Sequence, residues 1–236
     1  MKGFYINLQK RKDRKDHFEN LKKKFKFLKD IERSEGCTFI NNEYINKFVT
    51  GTAGCAQAHL NCLKKLKKLE GEYFAIFEDD FLILDDNVFN EFINEFDKIK
   101  DSNMWDVILL MPRGYTDKKY YLNNFHRMKI SRSAPGYIFK KHMIDILIEV
   151  FSYSVENLKK YFKIPSSKEQ RLIVGEYALD RAWSKLFNNY NFIYYYKIFG
   201  HQLDSYSDIE NTEVKYFFYM EGKYYKDINL INDIIK

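Results

Sequence analysis

Residues 73–80 of the chain read YFAIFEDD, an uninterrupted apolar run that ends in three carboxylates. Such a run is typical of a strand in a parallel sheet, where helices cover both faces. Ligand sites of open α/β sheets form beyond the carboxyl ends of their strands. The stretch therefore predicts an α/β fold in which Glu78, Asp79 and Asp80 stand at the edge of a ligand site.

The flanking sequence extends this strand into a series of alternating strands and helices. Residues 4–8 form a short apolar run, and apolar residues then recur at helical spacing over 18–28. A Gly-Thr-Ala-Gly stretch at 51–54 predicts a turn before a second helix, and residues 89–99 repeat the helical spacing. Residues 107–111 predict a further buried strand. Together these segments predict a mostly parallel central sheet flanked by helices.

The composition permits a globular domain with a sizeable core. Of the 236 residues, 45% are hydrophobic, and the formal net charge is +6. No composition shift or linker divides the chain, which predicts a single domain over residues 1–236. Lysines cluster at 22–24 and 64–68 on predicted amphipathic helices, where a solvated helix face explains them. A basic nucleic-acid-binding module is the alternative interpretation of this charge.

The cysteines and the hydropathy pattern indicate the cellular compartment in which the protein is expected. Cys37, Cys55 and Cys62 form no CxxC pair, which is typical of reduced thiols in an intracellular protein. No apolar run reaches the roughly 18 residues that a membrane span needs. The first residues lead directly into the first predicted strand, without a signal-peptide pattern. We therefore expect a cytoplasmic protein without a transmembrane segment, whose basic surface allows peripheral contact with a membrane.

The carboxylate triplet (Glu78, Asp79 and Asp80) requires a compensating charge, because adjacent carboxylates repel one another. A divalent cation, held by one or two carboxylates and by substrate phosphate oxygens, supplies that charge in many enzymes. Extended geometry places Glu78 and Asp80 on one side and Asp79 on the other. We therefore predict that Glu78 and Asp80 bind a metal, while Asp79 holds a ribose or a backbone amide. The alternative is a surface cluster that helps to cap the next helix.

Four segments of the chain resemble glycosyltransferase family 25, which contains bacterial lipooligosaccharide galactosyltransferases and the collagen galactosyltransferases. In the family's order they are residues 5–8 (YINL) with Arg11 and Arg14, residues 54–59 (GCAQAH), residues 77–81 (FEDDF), and Gln202 followed by Ser207-Asp208-Ile209. Ala58 departs from the family's usual serine but leaves His59 in register. The four segments together span nearly the whole chain.

This resemblance implies a GT-A type fold and a metal-dependent transfer with inversion at the anomeric carbon. The donor would be a UDP-hexose, either UDP-galactose or UDP-glucose, and the metal Mn²⁺ or Mg²⁺. Residues 1–112 are then expected to bind the nucleotide-sugar, and residues 113–236 to form the acceptor half and the C-terminal tail. The acceptor stays open between a glycan, a lipooligosaccharide and a hydroxylated protein. A catalytically inactive, glycosyltransferase-like binding protein is the alternative.

The matching segments contain the residues expected to bind the donor. Arg11 and Arg14 follow the first strand, where guanidinium groups can contact the diphosphate or the base. Asn7 either contacts the base or orders this turn. Gly54 would let backbone approach a ligand at the start of a helix, whose N-terminus favours anions. The resemblance adds to these donor contacts Gln57, His59, Asp79 and Gln202.

An inverting transfer needs a general base to take a proton from the acceptor hydroxyl. Asp180 is the first candidate and Glu176 the second, because they lie four residues apart on a helix predicted over 176–186 and share a face. His201 follows the last predicted strand and is expected to complete the metal ligands, since GT-A enzymes often use a late histidine. A histidine ligand would favour Mn²⁺ over Mg²⁺.

Overall fold

The computed structural model describes the backbone of residues 1–235, and their side chains except those of 118–120, 234 and 235. Its centre is a sheet of ten strands, with two further two-stranded sheets. The strands in chain order are β1 (Gly3–Asn7), β2 (Ile31–Glu35), β3 (Tyr73–Glu78), β4 (Phe81–Ile83), β5 (Val107–Leu109), β6 (Gly114–Leu122), β7 (Phe125–Ser131), β8 (Gly136–Lys140), β9 (Phe192–Tyr195), β10 (Gly200–Gln202), β11 (Ser205–Ser207), β12 (Thr212–Val214), β13 (Phe218–Met220) and β14 (Lys223–Tyr225).

Helices connect these strands. None of the helices within residues 1–235 is both long and apolar enough to cross a membrane. The α-helices are α1 (Lys12–Lys24), α2 (Lys47–Leu66), α3 (Asp86–Ile99), α4 (Met143–Lys159), α5 (Lys168–Gly175), α6 (Leu179–Ala182) and α7 (Ile228–Ile235), and short 3-10 helices occupy Lys26–Leu28 and Trp183–Leu186.

The central sheet has the strand order β14-β13-β6-β7-β9-β5-β8-β3-β1-β2. Among these described strands seven point in one direction, and β7, β8 and β14 are reversed. The predicted α/β class, with a mostly parallel central sheet flanked by helices, is confirmed. β1 pairs in parallel with both β2 and β3, so the carboxyl ends of these three strands meet at one edge of the sheet.

β3 is buried on both faces, as its unbroken apolar run predicts. Phe74 and Ile76 belong to a core that α2 and α4 cover, whereas Ala75 and Phe77 belong to a second core under α1 and α3. All four side chains are 0% exposed. Full burial of each larger side chain stabilises the fold by about 1.5–3 kcal/mol. The buried strand therefore holds the carboxylate triplet in a defined position at its carboxyl end.

The turn predicted at residues 51–54 is wrong, because these residues lie inside α2. The helix begins at Lys47, and the side chain of Asn46 caps it by accepting a backbone N–H of the first turn. Gly54 has a packing role instead, since a Cβ built there would lie 2.3 Å from the carbonyl oxygen of Cys37. The glycine lets the segment after β2 run directly against the helix.

Replacing Gly54 with alanine is expected to lower the free energy of unfolding by about 1–3 kcal/mol, because the added methyl group would overlap a backbone atom. Gly175→Ala is the matched control. A Cβ at Gly175, the last residue of α5, meets nothing within 4 Å. Urea denaturation of both variants tests this, and equal stabilities would contradict the packing role of Gly54.

The helix predicted over residues 176–186 is also wrong as a continuous element. α5 ends at Gly175, and α6 begins only at Leu179. The break follows from the backbone of Ala178, whose ψ of 146° is extended and cannot continue a helix. Glu176 and Asp180 therefore do not share one helical face.

Candidate active site

A cavity of about 570 Å³ opens at the carboxyl ends of β1 and β3. The carboxylate triplet lines it, together with residues 36–41 after β2 and several residues of the N-terminal half of α2. Gln202 and residues 206–209 contribute from the C-terminal part of the chain. The volume lies within the range of about 300–1,000 Å³ that is typical of small-molecule sites. The three carboxylates thus face a space that can hold such a ligand.

Asp79 is held by Asn7 at the end of β1. Nδ2 of Asn7 donates to Oδ2 of Asp79 at 2.7 Å and to the carbonyl oxygen of Arg11 at 2.9 Å. Oδ1 of Asn7 accepts a hydrogen bond of 2.9 Å from Nε of Arg33. Because Asn7 is 1% exposed and both amide hydrogens are used, its side chain orders the turn after β1.

Arg14 on α1 brings a positive charge into the carboxylate triplet. Its Nη1 lies 3.2 Å from Oδ1 of Asp79 and 3.0 Å from Oδ2 of Asp80. Its Nη2 donates to Oγ of Ser205 at 2.8 Å and to the carbonyl oxygen of Tyr206 at 3.1 Å. One guanidinium cannot balance three carboxylates, so the triplet itself keeps an excess of negative charge that a cation would reduce.

Glu78 faces α2 with one oxygen and β10 with the other. Its Oε1 lies 3.3 Å from Nε2 of His59 and 3.4 Å from Sγ of Cys55. Its Oε2 accepts a hydrogen bond of 3.4 Å from Nε2 of Gln202, and the same nitrogen lies 3.5 Å from Oδ1 of Asp80. Glu78 and Asp80 therefore meet on one side through Gln202, whereas Asp79 is directed towards β1.

The three carboxyl groups differ in how well their charge is compensated. Burial and the neighbouring charge of Glu78 raise the pKa of Asp80 to about 7, although Arg14 is in contact. Burial also raises the pKa of Asp79 against the opposing charge of Arg14. Burial acts to raise the pKa of Glu78, but the contacts with His59 and Cys55 and the charge of Arg14 together outweigh it and hold the pKa below its usual value. Asp80 is the carboxylate most in need of a further positive charge.

This charge imbalance predicts a pH-dependent difference between wild type and Asp80→Asn. The folded-state pKa of Asp80 is raised to about 7, so ionisation destabilises the fold as the pH rises from about 4 to 7. With EDTA present, we expect the variant to have the higher Tm at about pH 8, and we expect that difference to shrink at about pH 5. Thermal unfolding at both pH values tests this, and a pH-independent difference would contradict it.

Arg11 connects the turn after β1 to the C-terminal part of the chain. Nη1 of Arg11 donates to the carbonyl oxygen of Tyr206 at 2.8 Å and to Oδ2 of Asp208 at 3.0 Å. Its Nε and Nη2 donate to the carboxylate of Asp13 at 3.0 and 2.8 Å. Arg11 lines the cavity, but its guanidinium is already paired within the protein. These contacts join the first and last of the four matching segments at one wall of the site.

The two candidate bases lie in different surroundings. Asp180 is partly buried; burial raises its pKa, and the charge of Glu78 adds to that effect. Glu176 is at the surface, where its side chain is 71% exposed and its carboxylate lies 3.8 Å from Arg181. Neither residue is among those that line the cavity. The charge of Glu78 thus acts on Asp180, whereas Glu176 forms a surface ion pair.

His201 lies on β10, next to Gln202. Its Nδ1 is 2.7 Å from the carbonyl oxygen of Gln202, which places the ring proton on Nδ1. Its Nε2 is buried and has no hydrogen-bond partner within the described residues. Such a nitrogen suits a metal ion chemically. However, across the described side chains His201 forms no ligand-distance group with Glu78 and Asp80, and it does not line the cavity.

The three predicted donor contacts on α2 are not equivalent. Gly54 and His59 line the cavity, and His59 is 0% exposed with Nδ1 3.0 Å from Oη of Tyr137. Gln57 does not line the cavity, and its Nε2 donates to Oδ1 of Asn61 at 2.8 Å. The structure therefore brings Gly54 and His59 to the site but not Gln57.

Two residues outside the predicted set of site residues also line the cavity beside the triplet. Cys55 shares a helical face with His59, four residues later, and this spacing is a signal that the sequence does contain. Tyr216 follows β12; burial raises its pKa, and the charges of Asp80 and Glu78 add to this effect. Its position depends on the fold of the C-terminal segment, so no local pattern identifies it.

Several solved structures resemble the chain weakly. A glycosyltransferase involved in the glycosylation of the major capsid of PBCV-1 is 10% identical, with a TM-score of 0.41 over 81% of this chain and 90% of that one. A mannose-1-phosphate geranyltransferase from Thermus thermophilus is 9% identical, with a TM-score of 0.39 over 81% of this chain and 58% of that one. A UDP-glucose pyrophosphorylase complexed with UDP-glucose is 14% identical, with a TM-score of 0.39 over 89% and 79% of the two chains.

Comparison with protein families gives a clearer result. No curated protein matches the sequence. Residues 1–161 match glycosyltransferase family 25, described as an LPS biosynthesis protein, and this match covers more than half of the 236 residues. It includes three of the four segments noted in the sequence, among them the carboxylate triplet. The chain belongs to glycosyltransferase family 25.

Proposed function

We propose that this protein transfers galactose or glucose from a UDP-hexose to an acceptor hydroxyl, with a metal ion and with inversion at the anomeric carbon. The observation that carries the proposal is the excess negative charge of the carboxylate triplet, which faces a cavity of about 570 Å³. A metal ion and a diphosphate would fill such a site. The acceptor is a glycan, a lipooligosaccharide or a hydroxylated protein, and the family's description as LPS biosynthesis favours the lipooligosaccharide.

Glu78 and Asp80 are the proposed ligands of Mn²⁺ or Mg²⁺. The amide of Gln202 lies within 3.5 Å of both carboxylates, which supports a common site between them. As the third ligand, His201 would have to turn its ring from Phe218 towards these carboxylates, because it does not line the cavity. Its buried Nε2 has no partner among the described side chains, and an imidazole would favour Mn²⁺. When bound, the metal neutralises charge on the departing diphosphate.

The donor is proposed to lie in residues 1–112, with residues 113–236 supplying the acceptor side and the C-terminal wall. Gly54, His59 and Gln202 line the cavity, which supports their proposed contacts with the donor. Asp79 also lines it, but its hydrogen bonds to Asn7 and Arg14 give it a positioning role. Holding these groups in place before the donor arrives reduces the cost of ordering them in the transition state.

Asp180 is the proposed general base. An inverting transfer needs a group that takes the proton of the acceptor hydroxyl while that oxygen attacks the anomeric carbon. Burial raises the pKa of Asp180, and a carboxylate with a raised pKa is a stronger base. Glu176 is the weaker candidate, because it is paired with Arg181 at the surface.

Replacing Asp180 with asparagine is expected to lower kcat for UDP release by about 100-fold or more, with little change in KM for the donor. Asparagine keeps the size of the side chain but cannot accept the proton. Glu176→Gln is the matched control and should stay within about twofold of wild type. Steady-state kinetics of both variants decide the assignment: a larger loss in Glu176→Gln would reverse it.

The proposed activity is tested by measuring UDP release from a panel of UDP-sugars with Mn²⁺, with Mg²⁺ and with EDTA. We expect slow, metal-dependent hydrolysis of UDP-galactose or UDP-glucose, faster with an acceptor present. Binding of a UDP-hexose without any turnover would point to an inactive binding protein. Neither binding nor turnover for any of the sugars would overturn the proposal.

A further inference from the structure

A second group of metal-ligating side chains lies on the α2 side of Glu78. Cys55 and His59 are four residues apart on α2 and point at the same carboxylate oxygen. Sγ of Cys55 lies 3.4 Å and Nε2 of His59 lies 3.3 Å from Oε1 of Glu78. All three potential ligand atoms lie within 4.8 Å of one another. This set contains a thiol and shares only Glu78 with the proposed site of the donor's metal.

We propose that Cys55, His59 and Glu78 bind a thiophilic divalent cation such as Zn²⁺. A tetrahedral zinc ion with these ligands separates sulfur from oxygen by about 3.6 Å and nitrogen from oxygen by about 3.4 Å. The corresponding distances in the protein are 3.4 and 3.3 Å, so two edges of the tetrahedron are already formed. All three residues line the cavity, which leaves the fourth position open to water or to a ligand.

The surroundings of His59 suit a metal ligand. Nδ1 of His59 lies 3.0 Å from Oη of Tyr137, and both side chains are buried. A tyrosine hydroxyl accepts as well as donates, so Tyr137 can accept the Nδ1 proton and leave the Nε2 lone pair for the cation. A hydrogen bond of this kind to the second ring nitrogen fixes the orientation of metal-bound histidines.

Binding requires Cys55 to lose its thiol proton and His59 to lose the proton that Nε2 directs at Glu78. The thiol of Cys55 donates towards Oε1 of Glu78 in the metal-free arrangement. When the cation enters, the S–H bond breaks, a sulfur–metal bond forms and the proton passes to solvent. Glu78 keeps Oε2 directed at Gln202, so one carboxylate can serve this cation and the site of Asp80 through different oxygens.

Co²⁺ is the probe for this site, since a cobalt–thiolate bond absorbs in the near ultraviolet independently of any activity. Titration of the full chain with Co²⁺ is expected to produce this band at one equivalent, and Zn²⁺ should abolish it. Cys55→Ser should remove the band, and His59→Gln should weaken Co²⁺ binding at least tenfold. Asp80→Asn should keep the band, which separates this site from the proposed metal site of the transferase.

The other two thiols supply matched controls. Cys62 is buried on the same helix, and Cys37 lies after β2, so Cys62→Ser and Cys37→Ser should both retain the band. Circular dichroism confirms that each variant is folded before titration. Absence of the band in folded wild type, or its persistence in Cys55→Ser, would overturn the proposal. Failure of UDP-sugar turnover would leave this result unaffected, because the readout is cobalt binding.

Discussion

Asp80→Asn is expected to reduce metal-dependent UDP release by about 100- to 1,000-fold, because loss of a metal-binding carboxylate removes several kcal/mol of transition-state stabilisation. The variant should stay folded. Asp80 is 3% exposed, and its pKa of about 7 reflects a buried charge that the neighbouring groups compensate incompletely. Asparagine fills nearly the same volume without that charge. The measurement is kcat/KM for the UDP-hexose in Mn²⁺, together with thermal unfolding.

The matched control for this loss is Asp101→Asn. Asp101 is an exposed carboxylate just beyond α3, outside the cavity, so its replacement removes the same charge from the chain without touching the site. Its kcat/KM should stay within about twofold of wild type. Full activity of folded Asp80→Asn would show that Asp80 does not bind the metal.

Arg14→Ala is expected to lower the free energy of unfolding by about 3–5 kcal/mol, the cost of leaving a buried charge without its partner. Nη1 of Arg14 lies within 3.2 Å of both Asp79 and Asp80, whose side chains are 9% and 4% exposed. Removing the guanidinium leaves these carboxylates adjacent and uncompensated. Urea denaturation in EDTA measures the loss.

Lys15→Ala is the control for Arg14, since it removes an exposed positive charge from the next position of α1. Its effect should lie within about 0.5 kcal/mol. Mn²⁺ should stabilise Arg14→Ala more than it stabilises wild type, because the added cation replaces part of the lost charge. Equal destabilisation by both substitutions would contradict the role of Arg14 within the carboxylate triplet.

The position of the carboxylate triplet could be predicted because it depends on a local pattern. The run from Tyr73 to Phe77 is apolar at every position, and burial on both faces follows directly from that. Parallel pairing with β1 then brings the carboxyl end of β3 beside the carboxyl end of β1. The extended geometry assumed for Asp79 and Asp80 does not hold, because β3 ends at Glu78 and Arg14 contacts both aspartates in the turn that follows. Glu78 and Asp80 nevertheless both reach Gln202.

The boundaries of α2 and the helix after α5 could not be predicted, because tertiary contacts override local propensity there. The backbone of Cys37 packs directly against α2 at Gly54, where a larger residue would overlap it. Nothing near Gly54 in the sequence indicates this contact. The extended backbone at Ala178 likewise interrupts a pattern that is helical in the sequence.

The partners of the carboxylate triplet come from distant parts of the chain. The contact of Arg14 with Asp79 joins residues 65 positions apart, and that of Gln202 with Glu78 joins residues 124 positions apart. The resemblance to family 25 selects Arg14 and Gln202 as donor contacts, whereas the structure shows them in contact with the triplet itself. Spacing along the sequence cannot distinguish these two roles.

Calorimetric titration of UDP into the protein, with and without Mn²⁺, tests the donor site most directly. We predict one UDP per chain, bound in Mn²⁺, with affinity at least tenfold lower in EDTA and in the Asp80→Asn variant. Affinity for UDP that is unchanged by EDTA and by Asp80→Asn, or no binding of UDP in Mn²⁺, would contradict the account.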